Sequence, residues 1–231
     1  MTLIAEVWSP EGFAVAADGR QLIPNPPQSI DHAQKIFASR FANRTVFAFA
    51  WAGAVSFGFG SGRRVDFGEI AQSVMDLLPE DAYLDEPEAY FDRIARRIFC
   101  ELPTDVGLSG QPEADVIFAG YLDGRPLEAE IKFPHDETSF LPPIIGKLQS
   151  SSGQFNVFAG SDIVATDMHT SGLIFQPTNL SEAVEMVSRY AQTCVDNNQV
   201  ISECRNFGGH VHIATVTPER FAWVIAPLDA E

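Results

Sequence analysis

The sequence predicts an α+β fold of stacked antiparallel sheets, on three observations. Segments with the two-residue period of strands come in groups, and segments with helical period fall between the groups instead of alternating with single strands. No internal repeat, Gly/Ser linker or charge block divides the 231 residues, so one domain over 1–231 is expected. With 45% hydrophobic residues, a chain of this length can bury a large core and is not intrinsically disordered.

Residues 2–8 and 12–18 read as strands joined by Ser9-Pro10-Glu11-Gly12. Residues 22–29, with Pro24, Pro26 and Pro27, read as a loop. Residues 34–37 are apolar again. The segment 45–52 is a strand with Phe47, Phe49 and Trp51 on one face and Ala48, Ala50 and Ala52 on the other. Small residues on that second face predict close packing against another sheet or helix.

The period then becomes helical. Residues 65–78 place Phe67, Ile70, Val74 and Leu77 on one stripe. A second helix, opened by Asp85 and Pro87, carries Phe91, Ile94, Ile98 and Leu102 inward. Its Arg93, Arg96 and Arg97 form a solvated or subunit-contacting face. Strands return at 115–122 and 126–133 around Asp123-Gly124, and a short one at 155–158. A helix over 181–195, capped by Ser181, turns Ala183, Val187, Tyr190 and Cys194 inward. Residues 210–216 and 221–226 form a closing hairpin.

Charge narrows the function. Fifteen Lys+Arg against 31 Asp+Glu give 15 − 31 = −16, a field that repels phosphate, so no nucleic-acid partner is expected. Residues 1–20 include Glu6, Glu11 and Asp18 and no basic start, unlike a signal peptide. The uncharged stretch 45–62 is broken by Gly53, Gly58, Gly60 and Gly62, so no membrane span is expected. Cys100, Cys194 and Cys204 are odd in number and lack a CxxC pattern, which fits free thiols in a cytoplasmic protein.

Several chemical motifs have ordinary readings. His210 and His212 share a strand face but have no third ligand, so they read as structural and no metal is expected. The glycine-rich run 58–64 lacks the Lys-Ser/Thr of a P-loop, so no nucleotide or other cofactor is expected. Cys204 near His210 reads as an unreactive reduced cysteine. Taken singly, Asp18-Gly19-Arg20 is a turn after a strand and Lys35 a surface lysine. Thr2 differs. If Met1 is removed, a terminal threonine holds a hydroxyl nucleophile and an amine base on one residue.

The order of these pieces resembles the proteasome β-subunit family, including its bacterial relatives, within the N-terminal-nucleophile hydrolases. Thr2 begins the first strand, Asp18 ends the second, and Lys35 follows the proline-bearing loop with one extra residue. Lys35 is one of three lysines in the chain, with Lys132 and Lys147, so its position is informative. Ala52-Gly53-Ala54, Ala159-Gly160-Ser161 and Gly208-Gly209 before His210 continue the match over nearly the whole chain.

The resemblance implies a four-layer αββα sandwich and a catalytic set of Thr2, Asp18, Lys35, Gly53 and Ser161. Thr2 attacks a carbonyl, Lys35 lowers the pKa of its hydroxyl, and Asp18 orients Lys35. The Gly53 N–H faces the oxyanion, and Ser161 positions Thr2. The implied function is a threonine-type peptidase or amidohydrolase acting on a peptide or small amide. The implied assembly is a ring-like homo-oligomer. Three residues depart from the pattern: Cys204 replaces an aspartate (with Glu203 beside it), Phe207 replaces a serine, and Trp51 stands at the specificity-pocket floor. A tryptophan there leaves room for a small substrate group or none, so a catalytically silent subunit is the alternative.

Overall fold

Alternate side chains of the first hairpin go to different layers, and this divides the hydrophobic core into three. In the computed structural model, β1 (Ile4–Ser9) pairs antiparallel with β2 (Gly12–Ala17). Ala5, Val7, Ala14 and Ala16 face helices, whereas Ile4, Phe13, Val15 and Ala17 face a second sheet. The structure describes residues 2–24, 27–40, 46–52, 56–58, 64–77, 86–104, 108, 113–150 and 156–228.

The remaining strands complete two five-stranded sheets and two short ribbons. The ribbons pair β3 (Gln21–Pro24) with β4 (Pro27–Ile30) and β7 (Ser56–Gly58) with β8 (Arg64–Asp66). One sheet adds β12 (Asn156–Ala159), β13 (His212–Val216) and β14 (Phe221–Ile225), in the order β12-β1-β2-β13-β14. The other contains β5 (Ile36–Arg40), β6 (Val46–Ala52), β9 (Ala114–Leu122), β10 (Arg125–Phe133) and β11 (Ile144–Ser150), in the order β11-β10-β9-β6-β5. Among the described residues every strand pair is antiparallel. Asp123 and Gly124 both have positive φ, 51° and 72°, as the tight β9–β10 turn requires.

Helices cover the outer faces, giving the α+β sandwich that the sequence predicts. On one side, α1 (Phe67–Asp76) and α2 (Pro87–Glu101) bury Phe67, Phe91, Ile94 and Ile98 against Phe47, Phe49 and Trp51. On the other, α3 (Asp162–Thr170) and α4 (Leu180–Asp196) cover β1, β2 and β12. Between the sheets, Ala48 and Ala50 meet Ile4, Phe13 and Val15. Among the described residues no helix is long and apolar enough to cross a membrane.

Local differences from the sequence reading have local causes. Residues 22–29 hold a ribbon, not a plain loop; Pro24 faces Pro27 at its end, where a missing N–H interrupts no interior ladder. Leu77 is 72% exposed because α1 stops at Asp76, and Ala71 and Met75 complete the buried stripe instead. Asn179, not Ser181, caps α4: its side chain accepts from the Glu182 N–H, while Glu182 reaches back to the Thr178 N–H.

Trp51 is the largest buried side chain in the helix-facing core. Its ring lies 5.1 Å from Phe67 and 5.3 Å from Phe37, centroid to centroid. Replacing it by Ala should cost about 3–5 kcal/mol of stability, read as a lowered urea midpoint. An unchanged midpoint would mean that this layer does not hold the fold.

Candidate active site

One end of the sandwich gathers the start of β1, the end of β2, the segment before β5 and the segment before β13. Asp18, immediately after β2, sits where these four meet. Its Oδ1 accepts from the Lys35 ammonium at 2.6 Å and from the Leu3 N–H at 3.1 Å. Its Oδ2 accepts from the Gly208 N–H at 3.1 Å. Asp18 and Lys35 are both buried, as is Thr2, whose peptide bond to Leu3 carries one of these donors.

Such a pair persists in the interior only because its polar atoms are matched; leaving either charge alone costs about 3–5 kcal/mol. Burial pushes the Lys35 pKa down, and the Asp18 charge and hydrogen bond oppose that shift. Lys35 is held from behind as well. Its backbone N–H donates to His212 Nε2 at 3.1 Å, which makes His212 a neutral ring with its proton on Nδ1. Burial, and then the Lys35 charge, depress the His212 pKa to about 4, while its bond to the His210 backbone acts the other way.

The loops behind Asp18 lock into one another. Arg20 grips Asp31 through Nε at 2.7 Å and Nη2 at 3.2 Å, and Nη1 donates to the Phe207 carbonyl at 3.2 Å. The Asp31 carbonyl accepts from the His210 N–H, and the Gly19 carbonyl from the Ala33 N–H, both at 2.8 Å. Side chains are excluded at 208–209: a Cβ on Gly208 would collide with the Arg20 guanidinium, and one on Gly209, at φ 73°, with the Asp31 carbonyl.

Ser161 occupies the end of the neighbouring strand. The β1–β12 register sets Ile4 opposite Ala159, so Ser161 follows at the edge beside the start of β1. It caps α3, its hydroxyl accepting from the Val164 N–H at 3.2 Å and donating to Glu203 at 2.8 Å. Its N–H donates to the Tyr190 hydroxyl at 2.9 Å. Cys204 is buried with Tyr190 and Cys194 beneath α4, where burial raises the Tyr190 and Cys194 pKa values. Among the described residues no cluster of three His, Cys, Asp or Glu could hold a metal.

Of the sequence-predicted residues, Asp18 and Lys35 meet directly, Thr2 joins them through Leu3, and Ser161 lies one strand over. Gly53 lies outside the described residues. Sequence reasoning missed the contribution of the Gly208 N–H, the His212 acceptor and the Glu203 grip on Ser161. Each had a visible signal: the Gly-Gly pair, the His pair and the acid beside Cys204.

No protein-family model and no curated protein matches the chain. Solved structures do. The chain is similar to Anbu from Hyphomicrobium sp. strain MC1 in a Gly-1 mutant, with TM-score 0.59 and 13% identity over 98% of this chain and 88% of that one. A further structure of Anbu from that strain gives 0.57 and 15%, over 97% and 88%. Anbu from Yersinia bercovieri, described as an ancestral beta-subunit, gives 0.56 and 12%, over 96% and 87%. What they share is the fold. It is the α+β sandwich of the Anbu structures, and at these identities the likeness carries no specific activity.

The His212 geometry predicts a pH response. The unfolded ring takes a proton near pH 6.5, the folded one only near 4. Between these values the unfolded chain binds more protons, so stability falls as pH falls, by on the order of 3 kcal/mol over the window. Asp115, raised to about 6 chiefly by burial, works in the opposite direction. The urea midpoint of His212→Gln relative to wild type, followed from pH 6.5 to 4, should therefore shift in the variant's favour as pH falls; parallel profiles would contradict a neutral buried ring.

Proposed function

We propose that the chain is a threonine-type N-terminal-nucleophile hydrolase that cleaves the amide bond of a peptide or small amide after Met1 is removed. The observation that carries this reading is the single carboxylate of Asp18, which binds both the Lys35 ammonium and the N–H of the residue after Thr2. The Thr2 hydroxyl adds to the substrate carbonyl carbon, and its proton passes to the Thr2 amine. The Lys35 charge stabilises the hydroxyl's developing anion, and Gly53 supplies the N–H toward the substrate oxyanion.

The C–N bond then breaks, the leaving amine takes the proton from the Thr2 amine, and an ester remains on Thr2. Water, deprotonated by the same amine, cleaves that ester and restores the hydroxyl. Ser161, fixed by Glu203 and Tyr190, acts as a positioning residue at the edge of β1. The likeness to a protein described as a beta-subunit supports a homo-oligomeric, ring-like assembly.

A second reading, a catalytically silent subunit serving in assembly or binding, draws on Trp51. Its ring is fully buried against Phe37, Phe49 and Phe67, at the position that the resemblance makes the floor of the specificity pocket.

The two readings separate by experiment. Mass spectrometry of the purified chain should show loss of Met1, and turnover of a small peptide amide should rise between about pH 7 and 8 as the α-amine deprotonates. Thr2→Ala should abolish turnover, Thr2→Ser should retain part of it, and Lys35→Ala should reduce it about 100-fold or more. Turnover unchanged in Thr2→Ala would refute the mechanism. No turnover from a chain shown to lack Met1 would favour the silent subunit.

A further inference from the structure

A lysine ammonium rides on a long flexible stem, so its place depends on how firmly its own backbone is held. Lys35 lies just outside the ladder that would hold it: the β5–β6 register begins one residue later, with Ile36 opposite Ala50. Its N–H is anchored by a side chain instead, donating to His212 Nε2 at 3.1 Å.

His212 is itself fixed by the sheet. It opens β13 opposite Ala17, the residue before Asp18. The contacts therefore close a short circuit, from Asp18 through Ala17 to His212, from the ring to the Lys35 backbone, and from the Lys35 ammonium back to Asp18. The ring is buried, with Trp223 beside it at 6.1 Å between centroids. Burial lowers its pKa and a bond to the His210 backbone opposes this, as a carbonyl accepting the Nδ1 proton does. Turning the ring over would set a carbon against the Lys35 N–H and leave a buried donor unpaired.

We infer that His212 is a positioning residue for Lys35: its neutral ring ties the Lys35 backbone to the strand pair that carries Asp18, and so holds the ammonium on that carboxylate. In the hydrolysis proposed above, on which the catalytic side of this role rests, His212 touches no reacting atom and acts only through Lys35.

The test uses the full-length chain and its three lysines, Lys35, Lys132 and Lys147. Brief treatment with acetic anhydride near neutral pH is read lysine by lysine from peptide masses. In wild type, Lys35 (1% exposed) should be acetylated at least about tenfold more slowly than Lys132 (41% exposed). His212→Leu should raise Lys35 acetylation, relative to Lys132, about tenfold. His212→Gln, whose amide oxygen accepts from the same N–H, should stay within about twofold of wild type. Circular dichroism confirms that each variant is folded. A second measurement needs no change at His212 in the chain examined: ¹⁵N NMR of histidine-labelled wild type, assigned against His212→Gln, should place the His212 proton on Nδ1.

Equal protection of Lys35 in folded His212→Leu overturns the inference, as does equal loss of protection in His212→Gln or a proton on Nε2. Where wild type turns over a peptide amide, His212→Leu should lower kcat about tenfold at nearly constant KM, and His212→Gln should restore it; an unchanged kcat in His212→Leu overturns the catalytic role. A wild type without turnover overturns the hydrolytic reading instead, and the labelling and the tautomer still decide whether His212 positions Lys35.

Discussion

The Asp18 carboxylate is the point on which the candidate site depends. It has acceptor capacity for about four hydrogen bonds, and three donors from three distant parts of the chain use it. In a low-dielectric interior each bond is stronger than in water, and a carboxylate left there without partners is costly. The ion pair therefore does two things at once. It brings a cation to the start of β1, and it ties β2 to the segment before β13.

Around that centre the protein uses backbone more than side chains. His212 holds Lys35 by its peptide N–H, the Asp31 carbonyl holds His210, and the Gly19 carbonyl holds Ala33. Backbone partners have little rotamer freedom to lose, so they fix position at small entropic cost. The two exposed-side charges, Arg20 and Asp31, close the outer rim as a two-bond fork, where planar guanidinium geometry matches the carboxylate.

Much of this was legible in the sequence, for physical reasons that differ by element. Strand 46–52 could be read because its aromatic and alanine faces alternate without a fault, and each face has a different neighbour. The β9–β10 turn could be read because Asp-Gly suits two consecutive positive φ angles. α3 escaped notice: it is nine residues long and buries Val164 and Met168 only, too few for a periodic stripe. β11 escaped too, with Gly146 and Lys147 interrupting its pattern. At the site, Asp18 and Lys35 were visible by spacing within a resemblance, whereas the Gly208 N–H was not, because a backbone donor has no letter of its own. Ser181 looked like the α4 cap because it is a good capping residue; Asn179 won because Glu182 answers it three residues on.

The Asp18–Gly208 bond spans 190 residues. Loop closure over so long a distance forms late relative to the local hairpins and helices. During synthesis, Asp18 and Lys35 leave the ribosome long before Gly208, His210 and His212 exist, so both charges remain in water while most of the chain is made. The cation reaches its buried position only when the last two strands dock. An incomplete chain thus lacks the surroundings that enclose Asp18 and Lys35, and translation itself delays the closing of this end of the sandwich.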